Sequence, residues 1–424
     1  AKTAVQPPTG WDPREMTRSA QKPVGALDLE FVYGYPVNRP LANVLHFTAK
    51  KELVYFMAGL GTEIKGETVP ATPQNIHFTM REPFGVVGRI VPFNHPFLFA
   101  GAHLAAPLMA GNAVVLKSPD QSPLSATVMA EICHRVLPPG VVNIVSGQGI
   151  VVGDAIVRHP DVQRIGFTGS IPTGMAIQRA AAEVAVKHIS LELGGKNPFI
   201  VFPDADVETV ANAAVGGMNF AWAGQSCGST SRLMVHESLY DAVVDRVVEQ
   251  VSRIKVGDAM DTASQMGPVN SEGHYRHVIS LIESALQQGA KLLTGGERPK
   301  GDEFKRGYWI RPTVFGDVTM DMRIAREEVF GPVLSVLRWS DTEEAIEMAN
   351  GTEYGLTAGI WTNDVKTAMR AARRIESGCV WVNGGPRHFM STGFAGYKNS
   401  GIGREECLDE LLSYTQSKSI HIIL

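Results

Sequence analysis

The segment Gly224-Gln225-Ser226-Cys227-Gly228 sets one cysteine among small residues. A thiolate that attacks a carbonyl needs little bulk around the sulfur and surroundings that favour its charge, and flanking glycines meet the first need. Upstream, Leu191-Glu192-Leu193-Gly194-Gly195-Lys196-Asn197-Pro198 offers Glu192 as a carboxylate base. Taken alone, Cys227 reads as a buried cysteine beside a glycine turn. In Val91-Pro92-Phe93-Asn94-His95-Pro96 an amide stands between two prolines ahead of an apolar helix. A rigid turn there would present the Asn94 side-chain N–H groups, with the Cys227 backbone N–H, to a developing oxyanion. An asparagine before a helix is also a usual cap.

Other motifs point to a nucleotide. In Asp161 to Gly174 a strand ends in a glycine-bearing turn at Gly169-Ser170 and opens a helix, so backbone N–H groups at the helix start could meet a pyrophosphate. The glycine spacing departs from G-x-G-x-x-G, and a structural strand-to-helix turn accounts for it equally well. Lys117 and Asp120 follow another strand, where both could hydrogen-bond ribose hydroxyls, although a solvated charged loop would have the same composition. A carboxylate there would repel a 2′-phosphate, which favours NAD over NADP.

These motifs need a scaffold. From Gly85 to Gly195 short β-branched runs alternate with helix-like segments, the pattern of a parallel sheet with crossover helices. Strands are predicted at 113–116, 141–145, 164–167 and 188–191, with a helix start at Ser122-Pro123, where Ser122 would cap. A second series from Pro198 to Val382 predicts strands at 199–202, 233–236, 333–337 and 380–382, and helices at 239–254 and 275–288. Alternating polar and apolar residues at Ile76 to Arg81 and Ser413 to Ile423 predict antiparallel strands outside either core. The expected fold class is α/β: a Rossmann-like cofactor domain, a second α/β catalytic domain and a small antiparallel oligomerisation element. Residues 1–25 give almost no structural signal.

At 424 residues the chain has room for two or three domains. Its four cysteines are widely spread, with no C-x-x-C pair, which suits a reducing compartment and argues against a structural metal. A net charge of −4 with interspersed signs gives no footprint for nucleic acid. No apolar run is long enough to span a membrane, and Ala1 to Gly10 has no secretory signal pattern, so a soluble cytoplasmic protein is expected.

Together the motifs resemble the aldehyde dehydrogenase superfamily, in the family's order, over residues 26–424. The resemblance rests on Pro-Phe-Asn94-His-Pro, Lys117-Ser-Pro-Asp120, Phe-Thr-Gly169-Ser170, Glu192-Leu-Gly-Gly-Lys, Gly-Gln-Ser-Cys227-Gly, Glu-Glu328-Val-Phe330-Gly-Pro and Gly393 to Gly401. It implies Cys227 as nucleophile, Glu192 as the base that activates water, and Asn94 as oxyanion donor. Cofactor contacts are implied for Pro92, Phe93, Lys117, Asp120, Gly169, Ser170, Gly174, Leu193, Glu328 and Phe330. Glu328 would hold the nicotinamide ribose and Phe330 would pack by the ring. The presence of Glu192 implies the hydrolytic branch, since the coenzyme A-acylating relatives generally lack that base.

Departures from the family carry information. Asp120 stands where the longer Glu is usual, and the section before Gly34-Tyr35-Pro36 is short and atypical, so the edge of the cofactor domain is expected to be atypical or truncated. His95, Ala102 and Ala221 stand where bulky aromatics are common in the substrate tunnel. With Phe99, His388 and Phe394 they predict a tunnel wide enough for a bulky, aromatic aldehyde. The expected organisation is a dinucleotide-binding domain over 1–65 and 84–194, a catalytic domain over 195–405, and oligomerisation strands over 66–83 and 406–424. The expected partners are a small aldehyde, NAD, and further copies of the chain in a homodimer or homotetramer. The alternatives are an NADP-dependent semialdehyde dehydrogenase and a non-catalytic cofactor-binding relative.

Overall fold

Runs of β-branched residues such as Ala113-Val-Val-Leu-Lys117 are apolar on both faces, which demands helices above and below them. The computed structural model, which describes residues 51–424, places them so. The N-terminal part of the expected cofactor domain, with Gly34-Tyr35-Pro36, lies outside the described residues. The described chain forms two compact units.

Unit 1 comprises residues up to Leu191 together with 388–394 and 402–424. Its sheet runs His188–Glu192, Val162–Thr168, Val86–Ile90, Ala113–Lys117, Val142–Val145, the last four pairing parallel, with a two-residue strand, Gly401–Ile402, at the first edge. Val86–Ile90 comes first in sequence and sits inside, so the order reverses beside it. In such sheets ligands bind beyond the carboxyl ends of the strands at this reversal. The register aligns those ends: Ile90 lies opposite Lys117 on one side and Phe167 on the other. Helices Pro96–Met109 and Leu124–Val136 cross between strands, and Phe99, Ala102, Leu104 and Leu116 join one buried cluster with Leu411 and Tyr414. Arg89, 1% exposed, ties the C-terminal segment to this core by donating to Glu405 Oε1 (2.6 Å) and to the Tyr414 hydroxyl (3.2 Å).

The alternating segments pair with each other. Asn75–Pro83 and Thr415–Ile423 run antiparallel, with His77 opposite His421, and Thr68–Val69 adds a third strand. All three strands belong to unit 1. Residues 388–394 and 402–405, expected with the second domain, also cluster here.

Unit 2 holds a seven-stranded sheet in the order Lys291–Thr294, Thr313–Gly316, Val333–Trp339, Arg232–His236, Pro198–Val201, Thr357–Trp361, Cys379–Val382. Only the Lys291–Thr294 pairing is antiparallel. Helices Tyr240–Ser252 and Glu272–Gln287 bury Val243, Val247, Val278 and Leu281 against it at 0% exposure. Ser271 caps the second helix by accepting the His274 N–H.

The expected strands lie within a few residues of the observed ones, but Ser122 does not cap. Pro123 occupies the cap position of Leu124–Val136, and the Ser122 hydroxyl instead donates to the Phe93 carbonyl at 3.1 Å. That bond braces the turn carrying Asn94.

Candidate active site

In unit 2 the cysteine loop follows a tight turn in which Asn219 and Ala223 adopt left-handed backbone (φ 57° and 52°). Gly224 continues it at φ 68°, and a Cβ there would lie 2.1 Å from the Gly331 carbonyl oxygen. Gly224 is therefore required by its neighbouring backbone, not by room for the sulfur as its sequence suggested. Gly228 does face open space, since its nearest neighbour to a Cβ would be Ser226 Oγ at 3.9 Å. Cys227 is half-buried in this loop.

Glu192, 6% exposed, ends the strand His188–Glu192. The segment after it approaches the cysteine loop closely: a Cβ on Gly195 would lie 2.7 Å from the Cys227 carbonyl oxygen. Asn197, 1% exposed, binds that loop directly. Its Nδ2 donates to the carbonyls of Cys227 (2.7 Å) and Ser229 (2.8 Å), and its Oδ1 accepts the Thr357 N–H (3.1 Å). The two motifs read first in the sequence are thus joined through Gly195 and Asn197. No sequence motif marks Asn197, although a buried amide ahead of Pro198 at a strand start must be satisfied. Burial pushes the other thiols up, Cys133 to about 12, Cys379 to about 11 and Cys407 in the same direction, which keeps them protonated and unreactive at neutral pH.

The Glu328 carboxylate folds onto the same segment, accepting the Gly195 N–H at 2.8 Å. A Cβ on Gly194 would collide with its Oε2 at 2.2 Å. Burial pushes Glu328 up to about 7, against the pull of the Gly195 N–H and Lys196. Burial and then Arg232 push Lys196 down to about 7. Leu193 donates its N–H to the Ser400 carbonyl, so the loop 395–401 supports this segment. Phe330 takes a left-handed φ of 49°, held by the bond between its carbonyl and His274 Nε2 (2.6 Å). Ala221 lies exposed on the turn ahead of the cysteine.

Unit 1 carries the remaining candidates at the carboxyl edge of its sheet. Asn94 does not cap the helix Pro96–Met109, whose cap position is His95, which makes no side-chain capping bond. Pro92, Phe93, Asn94 and His95 are all half-buried, and Asn94 Oδ1 is buried without a hydrogen-bond partner among the described residues. Lys117, 4% exposed, pairs with Asp120, whose Oδ2 also accepts the Gly149 N–H at 3.2 Å.

Gly169 is required by packing, because a Cβ there would lie 2.4 Å from the Phe167 ring. The N–H of Gly174 is already bonded to the Ser170 carbonyl at 2.9 Å, so it is not free for a phosphate. The helix Ile171–Ala182 still begins at Ser170 without a side-chain cap, and Thr168 Oγ1 is buried beside it with no partner among the described residues. An uncapped helix start, an orphan hydroxyl and a lysine–aspartate pair on one sheet edge fit the phosphates and ribose of a dinucleotide.

The aromatic residues expected in the tunnel make two separate ring contacts in unit 1. His95 lies 5.9 Å from Phe99, Phe99 stacks on His103 at 5.0 Å, and His388 lies 4.5 Å from Phe394. Ala102 is buried in the core cluster. His103 also approaches Glu405 and Glu410 closely enough to suggest a metal cluster, but the cation beside it is Arg89, bonded to both His103 and Glu405.

The sequence model of the aldehyde dehydrogenase family matches residues 40–420. The chain is 47% identical over 408 residues to aldehyde dehydrogenase tropH of Talaromyces stipitatus, covering 94% of this chain and 79% of that one. Among solved structures it is similar to the NAD+ complex of an aldehyde dehydrogenase from Bacillus cereus, with 41% identity, a TM-score of 0.85, and coverage of 93% and 79%. It is also similar to betaine aldehyde dehydrogenase of Staphylococcus aureus in complex with NAD+, with 38% identity, a TM-score of 0.85, and coverage of 88% and 74%. No helix among the described residues is long and apolar enough to cross a membrane. With nine-tenths of its length matched by one family and its sheets ordered as described, the chain belongs to the aldehyde dehydrogenase family.

Proposed function

We propose that this aldehyde dehydrogenase oxidises a bulky, aromatic aldehyde to its carboxylic acid, with NAD as the cofactor. The observation that carries the chemistry is the approach of the Glu192 to Asn197 segment to the Cys227 loop, through Gly195 and Asn197. The Cys227 thiolate attacks the carbonyl carbon to form a thiohemiacetal. Its backbone N–H and the Asn94 amide stabilise the oxyanion, each such donor contributing about 10²-fold or more. Bound NAD supplies the hydride acceptor, and its presence is supported by the fit of the sheet-edge residues and by the NAD+ complexes of the related enzymes. The acyl group is then a thioester on Cys227. Glu192 takes a proton from water, hydroxide attacks the thioester carbon, and the thiolate leaves as the carboxylate forms.

Lys117 and Asp120 would hold the adenine ribose, Glu328 the nicotinamide ribose, and Phe330 the ring. Asp120 favours NAD over NADP by charge repulsion of a 2′-phosphate. The strand Thr415–Ile423, at the edge of its small sheet, supports an oligomer, since soluble proteins normally cover such edges.

The aromatic reading rests on the family positions of Ala102 and Ala221 and on the paired rings of His95 with Phe99 and of His388 with Phe394 in unit 1. Removing about 60 Å² of ring from water gains about 1.5 kcal/mol, close to ten-fold over a two-carbon aldehyde. The test compares kcat/KM for benzaldehyde and acetaldehyde, with Cys227→Ala as the blank. A preference for acetaldehyde, or an Ala102→Trp variant that handles benzaldehyde undiminished, overturns the aromatic reading. Turnover by folded Cys227→Ala overturns the nucleophile.

A further inference from the structure

We propose that His77 and His421, facing each other across two antiparallel strands of unit 1, form a binding site for a divalent transition-metal ion that prefers imidazole nitrogen, such as zinc. The site is independent of the substrate reading above. Its two rings stand 344 residues apart in sequence, and their Nδ1 atoms meet at 2.7 Å.

The meeting follows from the register of the strands. Asn75–Pro83 and Thr415–Ile423 pair along their whole length, with His77 directly opposite His421. Directly opposed residues place their Cβ atoms about 4.5–5.5 Å apart on one face of the sheet. Alternation sends Ile76, Phe78, Ile420 and Ile422 to the other face, so the histidines share theirs with Thr79 and Ser419. On its other side His77 stands opposite Val69, which offers neither ligand nor charge.

The rings meet at 63° rather than stacking, with centroids 4.8 Å apart, so their nitrogen edges converge. Two ring nitrogens at 2.7 Å share a single hydrogen, and one Nδ1 therefore presents a lone pair to the other. A metal ion takes the place of that hydrogen. The donor ring's hydrogen moves to its Nε2 through solvent, and both neutral rings then turn an Nδ1 lone pair to the ion. Zinc held by two imidazoles at about 2.0–2.1 Å in tetrahedral geometry sets the nitrogens ~3.4 Å apart. The rings part by only about 0.7 Å to reach that distance, which small side-chain rotations supply, since His421 is exposed and His77 half-buried. Water completes the coordination.

The cations on these two strands are bound elsewhere. Arg81 donates to Thr415 Oγ1 at 3.0 Å, and Lys418 pairs with Glu82. The pair differs in this from the cluster of His103, Glu405 and Glu410, where Arg89 already supplies the cation. Two histidines from opposite ends of the chain leave no ligand spacing to be read in the sequence.

The experiment measures zinc bound per chain by equilibrium dialysis at micromolar free zinc, for wild type, His77→Phe, His421→Phe and the double variant. Anomalous diffraction at the zinc edge locates the ion in wild-type crystals. Zinc at the Cys227 thiol is common to all four proteins and cancels in the comparison. Neither histidine is among the residues proposed for catalysis, so turnover in the presence of a chelator checks that each variant is folded. Wild type is expected to hold one more zinc per chain than any variant. Either single substitution lowers affinity at the site about ten-fold or more, since losing even an outer partner of a metal ligand costs about 10–100-fold. Because both nitrogens hold one ion, the double variant loses no more than a single one. The anomalous peak is expected about 2.0–2.1 Å from both Nδ1 atoms. Equal zinc in wild type and double variant overturns the proposal, as does a loss in each single variant half that of the double, which marks two separate histidines. A peak seen only at millimolar zinc, an adventitious ion only, overturns it too.

Discussion

Replacing Asn197 tests whether the cysteine loop is held by the amide that the structure places under it. Asn197→Ala removes two donated bonds and one accepted bond, and leaves Ser229 and Thr357, both nearly fully buried, each short of a partner. At about 1 kcal/mol for each bond lost, and up to about 3 for each buried group stranded, the cost is about 3–6 kcal/mol. For a unit of this size that is a fall in Tm of about 6–24 °C.

Asn197→Asp is the sharper test because it keeps the shape. Its carboxylate would face the carbonyl oxygens of Cys227 and Ser229, so repulsion replaces attraction and the charge is buried. The aspartate variant is expected to be at least as unstable as the alanine variant at pH 8. Burial raises its folded pKa above the unfolded value, so its stability falls as pH rises between the two and recovers as pH drops toward 5. Thermal unfolding followed by circular dichroism reads the stability, and the rate of iodoacetamide labelling at Cys227 reads the loop. An aspartate variant within about 2 °C of wild type, with labelling unchanged, would refute the reasoning that Asn197 positions the nucleophile.

Glu192→Gln is expected to give a burst of NADH without sustained turnover, because the thioester forms but water is no longer activated; a steady rate equal to wild type removes Glu192 from the mechanism. In the unmodified protein NAD is expected to exceed NADP in catalytic efficiency by about ten-fold or more, from roughly 1–4 kcal/mol of repulsion between Asp120 and a 2′-phosphate at ~4 Å. Asp120→Ser should narrow that gap, and equal efficiencies before mutation defeat the assignment. Light scattering at micromolar concentration is expected to show a dimer or tetramer, and a stable monomer contradicts it.

What the sequence made legible follows from which residues act through local rules. Strands such as Ala113–Lys117 are short apolar runs bounded by Gly and Pro, so their existence and parallel arrangement follow from composition and from the helices between them. Cys227 and Glu192 stand in segments whose glycines are unusual enough to mark a site. Those glycines do other work than their positions alone suggest. Gly224 and Gly195 let two backbone segments approach each other, and Gly169 makes room for the Phe167 ring. A close approach between segments far apart in sequence leaves only a missing side chain as its trace, and a missing side chain is ambiguous.

The pair His388 and Glu406 shows the limit more plainly. His388 reads as a tunnel residue from its place in a family motif, but the carboxylate bonded to it, Glu406, has no local signature. Glu406 sits in a loop between Glu405 and Cys407, and solvated glutamates are common in loops. Its meaning comes from a left-handed backbone and from bonds to Ser391 and Glu410 that only the folded chain supplies. The same holds for Arg89, which reads as an interruption in an apolar strand until Glu405 and Tyr414 arrive from the far end of the chain. Buried charges must find partners, and the partners are chosen by topology. Sequence patterns therefore reveal the cysteine segment and the scaffold earlier than they reveal the buried polar network of unit 1.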